Sequence, residues 1–527
     1  MTNPDIIFIV LDTQRADRLG CYGYSKNISP HLDQFSSRAI LFEQAVAPAQ
    51  WTVPSHASMF TGEYPTTHQV TQSAHRLSPQ RPHLAEILRA ANYNTVGFCN
   101  NPLVGILNNG FKRGFDTFYN YGGAFPSLPQ TASPLPWPFN KGLEAYTQFL
   151  RKISYPIQNF FGKSDLAFRV SLNAWLTPLW SKMANFKGQN ERSVNDVIQF
   201  LQQQESGKDD KPLFLFLNLM ETHLPFWPPG EFIDKTAPYF RYNKEARTLM
   251  RTWNREAYRW AAPLAAPLSE LEAQVLSDLY DAEVAYQDHY LGQLLTALNG
   301  RSRYKETLTV IAADHGDGLG EHGYMGHAFV GYEELIHVPM IMHWPAKWQT
   351  GQRISTPIST RRIFHTILDA VGRLPENVPN FNPIEAHRLT LQHAAAGDDP
   401  ENGTAFSEIY PPLNFVKALE TRQPKLLADF RCLALRRAVV QQDTQTTHKL
   451  IHIDENPAEL FDLPLDPLEL ENVHKQRPST TSRLDQEIKE MVATAVAQRD
   501  QQITTDPLDQ PVDEQLTQRL RGLGYID

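Results

Sequence analysis

The sequence predicts an α/β fold, a mixed and mostly parallel sheet flanked by helices with a smaller C-terminal α+β subdomain. Three observations carry it. Ile6 to Leu11, Pro212 to Leu219 and Thr307 to Ala313 are continuous apolar, β-branched or aromatic runs, the pattern of strands buried on both faces. Each ends abruptly in polar residues. Helical patterns separate them, as parallel strands require.

With 527 residues the chain exceeds the roughly 250 to 300 at which a single core usually stops growing. Residues 1–375 are read as the catalytic α/β domain, 376–402 as a linker and 403–527 as the C-terminal subdomain. Hydrophobic residues make up 41% and charged residues 20%, values of an ordinary globular enzyme. A formal charge of −9 argues against nucleic acid as a partner. Cys21, Cys99 and Cys432 are widely spaced and odd in number, which suggests a reducing compartment rather than a disulfide framework. The N-terminus lacks a basic signal region, and Ile6 to Leu11 is too short to span a membrane, so a cytoplasmic location is expected.

The strand Ile6 to Leu11 delivers Asp12 to its C-terminal end, the edge at which ligands collect in open α/β sheets. Pro30 to Ser37 reads as a short helix and Ile40 to Val46 as a strand. Then comes Gln50-Trp51-Thr52-Val53-Pro54-Ser55-His56. Pro54 suits the first turn of a helix running to Gly62, which sets the Thr52 hydroxyl at the positive end of that helix, either as a nucleophile toward an anionic ester or as a simple N-cap. Pro82 to Ala91 and Asn94 to Cys99 repeat the helix and strand alternation. From 123 to 188 the texture changes to Pro, Trp and Phe, with an excess of five positive charges between Lys141 and Lys187. This insertion is a candidate lid or peripheral membrane contact, and also suits an insert packed on the main domain.

Ser193 to Gln204 reads as a helix. The strand Pro212 to Leu219 leads to His223, and the Ser269 to Leu298 pattern repeats near 3.6 residues and stops at Asn299-Gly300. The strand Thr307 to Ala313 ends in Asp314-His315-Gly316, a carboxylate and an imidazole side by side. With Asp12 and Thr52 they form an oxygen and nitrogen set suited to one divalent cation. Gly326-His327 follows, and Arg361 to Val371 reads as the closing helix of the large domain. Leu435 to Val440, Lys449 to Ile453 and Glu459 to Leu463 suit a small antiparallel sheet, with a helix from Ser482 to Ala497 and a polar tail from Gln498 to Glu514.

Taken together, Ile6 to Asp12, Thr52-Val53-Pro54-Ser55-His56, His223, Asp314-His315-Gly316, Glu321-His322-Gly323, and Tyr332-Glu333-Glu334 to Pro339 resemble the sulfatase family of the alkaline phosphatase superfamily. The likeness runs from Pro4 to about Asn472. It implies an alkaline-phosphatase-like fold and an ester hydrolase. The chain departs from the family pattern at the anion pocket. Sulfatases carry Cys or Ser, oxidised to formylglycine, where this chain has Thr52, and a secondary alcohol cannot give that aldehyde. The family's Arg becomes His56, its second N-terminal Asp becomes Thr13, its Lys and His after the next strand become Asn100 and Pro102, and its later Gly-Lys becomes Gly326-His327. Loss of these donors should cost less to a phosphodiester or phosphonate ester, with two free oxygens, than to a sulfate or phosphate monoester with three.

The same residues resemble Thr-nucleophile phosphodiesterases and phosphoethanolamine transferases of the superfamily. That resemblance implies Thr52 as nucleophile, Asp12, Asp314 and His315 as metal ligands, and His223 and His327 near the phosphoryl group. From these residues one divalent ion (Mn, Zn, Mg or Ca) beside Thr52, without formylglycine, is expected, with His223 or His327 protonating the leaving group and His56 and Asn100 on substrate oxygens. One ion rather than two is expected, because Gly292 stands where a four-residue spacing from Asp288 wants an imidazole. The expected function is metal-dependent hydrolysis of phosphoric or sulfuric esters, phospho-esters favoured. Phosphoryl transfer and a non-catalytic binding relative are the alternatives. The expected partner is a small-molecule or lipid-like ester, and self-association into a homo-oligomer is a further candidate.

Overall fold

The computed structural model describes residues 3–121, 190–207, 211–372, 382–444 and 446–500. The basic, aromatic insertion and the polar tail beyond residue 500 lie outside them.

The main sheet has eight strands. In spatial order they are Gln352–Ile354, Ile40–Phe42, Met340–His343, Thr307–Ala312, Asp5–Leu11, Leu213–Leu219, Asn94–Cys99 and Thr117–Asn120. Only Met340–His343 runs antiparallel to its two neighbours. The three apolar runs are the central strands, and every residue of Ile6 to Leu11 is at most 1% exposed, as expected for a strand covered on both faces. Register decides what the sheet presents. Val10 pairs with Asn218 on one side and Ala312 on the other, so the three central strands end level. Asp12, Met220 and Ala313 therefore leave the sheet together, and Asp12 N–H still donates to Leu219 O at 2.8 Å.

The helix Thr52–Thr61 packs through Phe60 on Phe216 of the sheet, with ring centres 5.1 Å apart. The 30-residue helix Glu270–Asn299 starts at a capping box in which Ser269 and Glu272 satisfy each other's backbone N–H groups. Among the described residues no helix is long and apolar enough to cross a membrane.

A second sheet of four antiparallel strands, Thr404–Ile409, Arg436–Gln442, Thr447–Ile453 and Asn456–Asp462, forms the C-terminal subdomain. The helix Pro478–Asp500 covers it by placing Leu484 and Ile488 against Phe406, Val439, Leu450 and Leu460. The stretch read as a linker differs from that reading. Its described part holds the helices Pro383–Arg388 and Leu391–Ala396, docked on the helix Arg362–Val371. Arg362, fully buried, donates to the carbonyls of Leu389 and Thr390 and to Asp399. Ala386, Leu389, Leu391 and Ala394 are buried as well, so polar bonds and a short apolar face hold the segment down together.

Candidate active site

The level strand ends bring Asp12, Asp314 and His315 together. Their ligand atoms all lie within 4.8 Å of one another, and all three side chains are buried. His315 Nδ1–H donates to Gly316 O at 2.8 Å, which fixes the tautomer and leaves the Nε2 lone pair facing the carboxylates. Asp314 Oδ2 is 3.4 Å from that nitrogen and Asp12 Oδ1 is 4.0 Å from it.

Thr52 completes the group. The helix Thr52–Thr61 begins at Thr52 itself, Trp51 is the residue before it, and no side chain caps that end. The hydroxyl is therefore not an N-cap, and instead lies 3.3 Å from His315 Nε2. Ser55, one turn on, donates to Asp314 O at 2.6 Å and ties the helix start to the metal-ligand strand.

Buried oxygens without partners show what this arrangement lacks. Neither Asp12 Oδ1 nor Asp314 Oδ2 has a hydrogen bond of proper geometry among the described residues. Burial and the neighbouring Asp314 charge push Asp12 well above the usual carboxylate range. Burial pushes Asp314 the same way, but the His315 and His56 imidazoles outweigh it and hold Asp314 down at about 2. Burial pushes His315 down to about 4, which keeps it neutral and available as a ligand. Two carboxylates, one neutral imidazole and a hydroxyl around one point fit a divalent cation, and little else would offset the cost of burying them.

Thr13 contributes through its backbone. At φ +58° it occupies the left-handed region, an outlier for a β-branched residue, and this turns its N–H toward Asp314 Oδ1 at 3.3 Å. Tyr280 OH holds the turn by donating to Thr13 O at 2.7 Å.

The three other histidines divide. His327 Nδ1 lies 2.8 Å from Asp317 Oδ1, and its ring centre is 4.5 Å from His315 and 5.1 Å from His223. His223 Nδ1 donates to Leu224 O at 2.7 Å. His327 thus stands beside His315, and His223 stands behind it. His56, expected on a substrate oxygen, sits behind it: Nδ1 is 3.0 Å from Thr52 O and 3.3 Å from Asp314 Oδ2, and Nε2 is 3.5 Å from Asn218 Nδ2. One helical turn beyond Thr52, the side chain reaches back toward its own helix start rather than forward.

Asn100 is also displaced from its expected role. Its amide donates to Asn190 Oδ1, away from the Thr52 hydroxyl. The next residue meets the candidate nucleophile instead. Asn101 Nδ2 lies 2.6 Å from Asp12 Oδ2 and 3.4 Å from Thr52 Oγ1, while its Oδ1 caps the helix Pro102–Gly105 through Leu103 N–H. Asn-Pro before a short helix is a cap signal, and it marks Asn101. Asn218 is the second residue not foreseen. It is the one polar side chain in an apolar strand, and it reaches Asp12 Oδ2 at 3.4 Å. Replacing Asn101 by alanine is expected to lower kcat/KM about 10- to 100-fold and to weaken cation affinity, the usual cost of removing an outer partner of a ligand. Steady-state kinetics across a metal titration measure both.

The sulfatase family profile matches residues 4–373, more than half of the chain. The chain belongs to the sulfatase family. Members of this family typically use a divalent metal ion, and the Asp12, Asp314 and His315 group is suited to one. This sulfatase-family hydrolase is 24% identical to the ulvan-active sulfatase of Formosa agariphila over 438 residues, 80% of this chain and 72% of that protein. Its fold is similar to that of the phosphonate monoester hydrolase of Agrobacterium radiobacter, with a TM-score of 0.62, 19% identity and coverage of 93% and 96% of the two chains. It is also similar to the phosphonate monoester hydrolase SpPMH from Silicibacter pomeroyi, with a TM-score of 0.58, 18% identity and coverage of 93% and 95%.

Proposed function

We propose that this sulfatase-family hydrolase cleaves phosphodiesters or phosphonate monoesters, with Thr52 as nucleophile and Asp12, Asp314 and His315 as ligands of one divalent ion. The observation that carries the reading is the Thr52 hydroxyl, 3.3 Å from His315 Nε2 and released from any capping role. What a cation bound there supplies is positive charge, which lowers the pKa of the adjacent hydroxyl and neutralises one ester oxygen.

The protein's own groups do the rest. Asn101 donates to the Thr52 oxygen and steadies it as charge develops during attack. Thr52, having lost its proton to solvent before attack, bonds through Oγ to phosphorus as the bond to the leaving oxygen breaks, and it departs again as the alkoxide when water displaces it. His327, with Asp317 on its other nitrogen, protonates the leaving oxygen, a contribution of about 10² to 10⁴ in rate. Water then attacks phosphorus and releases Thr52, its proton returning to the imidazole.

The preference for phospho-esters rests on charge. The permanent cation nearest in sequence to Asp12, Arg15, is held by Asp17 and Glu321 at 2.8 Å each, and His56 is turned away. With the Asn101 amide also committed, to Asp12 and Thr52, a single cation suits two free oxygens better than three. The similarity in fold to two phosphonate monoester hydrolases supports the same side, while the ulvan-active sulfatase keeps sulfate esters in the comparison.

The test is a panel of nitrophenyl esters (phosphodiester, phenylphosphonate, phosphate and sulfate) with enzyme loaded in turn with manganese, zinc, magnesium and calcium. The diester and phosphonate are expected to exceed the other two by at least about tenfold in kcat/KM, a margin of about 1.4 kcal/mol. Rapid acid quench and peptide mass spectrometry should place the adduct on Thr52. A faster sulfate ester, or an adduct elsewhere, sinks the reading. Turnover that appears only with an added alcohol assigns transfer instead.

A further inference from the structure

Away from Thr52, a second group of ligand side chains lies where the catalytic domain meets the C-terminal sheet. His322 is in the turn Glu321–Gly323, Glu334 in the short helix Glu333–Ile336, and Glu469 in the loop after the strand Asn456–Asp462. One donor atom from each lies within 4.8 Å of the others. None of the three belongs to the Asp12, Asp314 and His315 group.

The cluster is buried and incompletely satisfied. The Glu334 and Glu469 side chains are 7% and 0% exposed. Glu334 Oε1 has no hydrogen-bond partner among the described residues, while Oε2 stands 3.8 Å from His322 Nε2. A buried carboxylate with one oxygen bare and the other facing an imidazole is a place where a cation would offset the cost of burial. The ring of His322 is held face-on against Tyr332, with centres 3.8 Å apart and planes 16° from parallel. His322 and Glu469 both sit at positive φ, +52° and +53°, unfavourable for side-chain-bearing residues and retained at both donors.

Charge counting points the same way. Lys449 Nζ is 3.0 Å from Glu333 and 2.9 Å from Glu469, one positive charge among the carboxylates of Glu333, Glu334 and Glu469. Arg15 is committed to Asp17 and Glu321. The buried group is thus two negative charges in excess. Protons or one divalent cation can offset them.

We infer that His322, Glu334 and Glu469 bind a second divalent cation, of the zinc or manganese type, which fastens the C-terminal sheet to the catalytic domain. An imidazole with two carboxylates favours these ions over magnesium or calcium, which take all-oxygen shells. Ligand distances of about 2.0 to 2.2 Å require the donors to close up by about an ångström, a side-chain adjustment. Glu333 and Lys449 remain as a neutral pair beside the ion. The assignment is independent of which ester the enzyme cleaves.

The experiment counts metal per chain in full-length protein that has been stripped, loaded with zinc or manganese and desalted. The wild type is expected to hold two ions, Glu334→Gln one, and Asp12→Asn/Asp314→Asn one. The triple variant combining all three substitutions is expected to hold none. In melting experiments, zinc should raise Tm by several degrees in Asp12→Asn/Asp314→Asn but not in the triple variant. His322→Ala, a change in a partly exposed turn, should match Glu334→Gln and serves as the second variant if that one fails to fold. The same count in Glu334→Gln or His322→Ala as in the wild type overturns the assignment. So does an Asp12→Asn/Asp314→Asn protein that retains no ion and gains no Tm.

Discussion

Replacing Thr52 by alanine is expected to lower kcat for ester hydrolysis by about 10⁴-fold or more, because each of the other hydroxyls described beside Asp12, Asp314 and His315 is held by a backbone carbonyl. Ser55 Oγ donates to Asp314 O, Thr13 Oγ1 donates to Asp12 O at 2.7 Å, and Thr222 Oγ1 donates to the same carbonyl at 2.5 Å. Each is held by a buried backbone acceptor. Stability should barely change, since Thr52 caps no helix and its side chain leaves only a small void. A shift in Tm of no more than a few degrees would therefore separate lost chemistry from lost structure. Thr52→Ser keeps a hydroxyl on the same carbon and is expected to retain turnover within about tenfold. Initial rates with the favoured ester decide the matter, and a Thr52→Ala enzyme as fast as wild type would end the nucleophile assignment.

Asp12→Asn should have the second-largest effect, and it should move function and stability in opposite directions. In the metal-loaded enzyme it removes one anionic ligand, so activity is expected to fall by about 10³-fold with cation binding weakened in parallel. In the metal-free protein it removes one of two buried carboxylates whose nearest ligand atoms lie within 4.8 Å. The asparagine keeps an oxygen for Asn101 and Asn218, which now approach Oδ2, and its new N–H group can donate toward Asp314. The metal-free variant is therefore expected to melt a few degrees above metal-free wild type, and the order reverses when cation is added. Melting curves with chelator and with saturating cation measure both halves. A variant less stable than wild type with chelator present would show that the two carboxylates do not repel each other.

How much of this was legible in the sequence follows from how each part is held. The central strands declare themselves because burial on both faces demands unbroken apolar runs, and Asp12, Asp314 and His315 stand out as the polar residues that end them. Asn218 was as visible, a single amide inside Leu213–Leu219 that has to find a partner when buried. Its target lies on a neighbouring strand, and only pairing reveals it. Asn100 and Asn101 show the limit of a linear reading. Both follow the same strand, but Asn100 N–H extends the ladder to Asn218 O at 3.1 Å, whereas Asn101 turns away to cap the next helix and meets Thr52. Which neighbours the His56 ring meets, Thr52 O, Asp314 and Asn218, could not be read from helical spacing, which gives a side chain's position along the axis and not the direction of its ring. The stretch from 382 to 402 buries only a few small or isolated apolar residues, Ala386, Leu389, Leu391 and Ala394, too few to stand out in the sequence, and Arg362, a buried cation from the preceding helix, bonds its backbone.

The hydrogen bond between Thr13 and Asp314 joins positions 301 residues apart along the chain. Loop closure over that distance is slow, and a centre built on it cannot form while the chain is only partly collapsed. Catalytic competence should therefore be among the last properties to appear on refolding, after compaction and after most helical signal has returned. A cation taken up at this centre should then act as a latch on the finished molecule, slowing its opening without hastening its assembly.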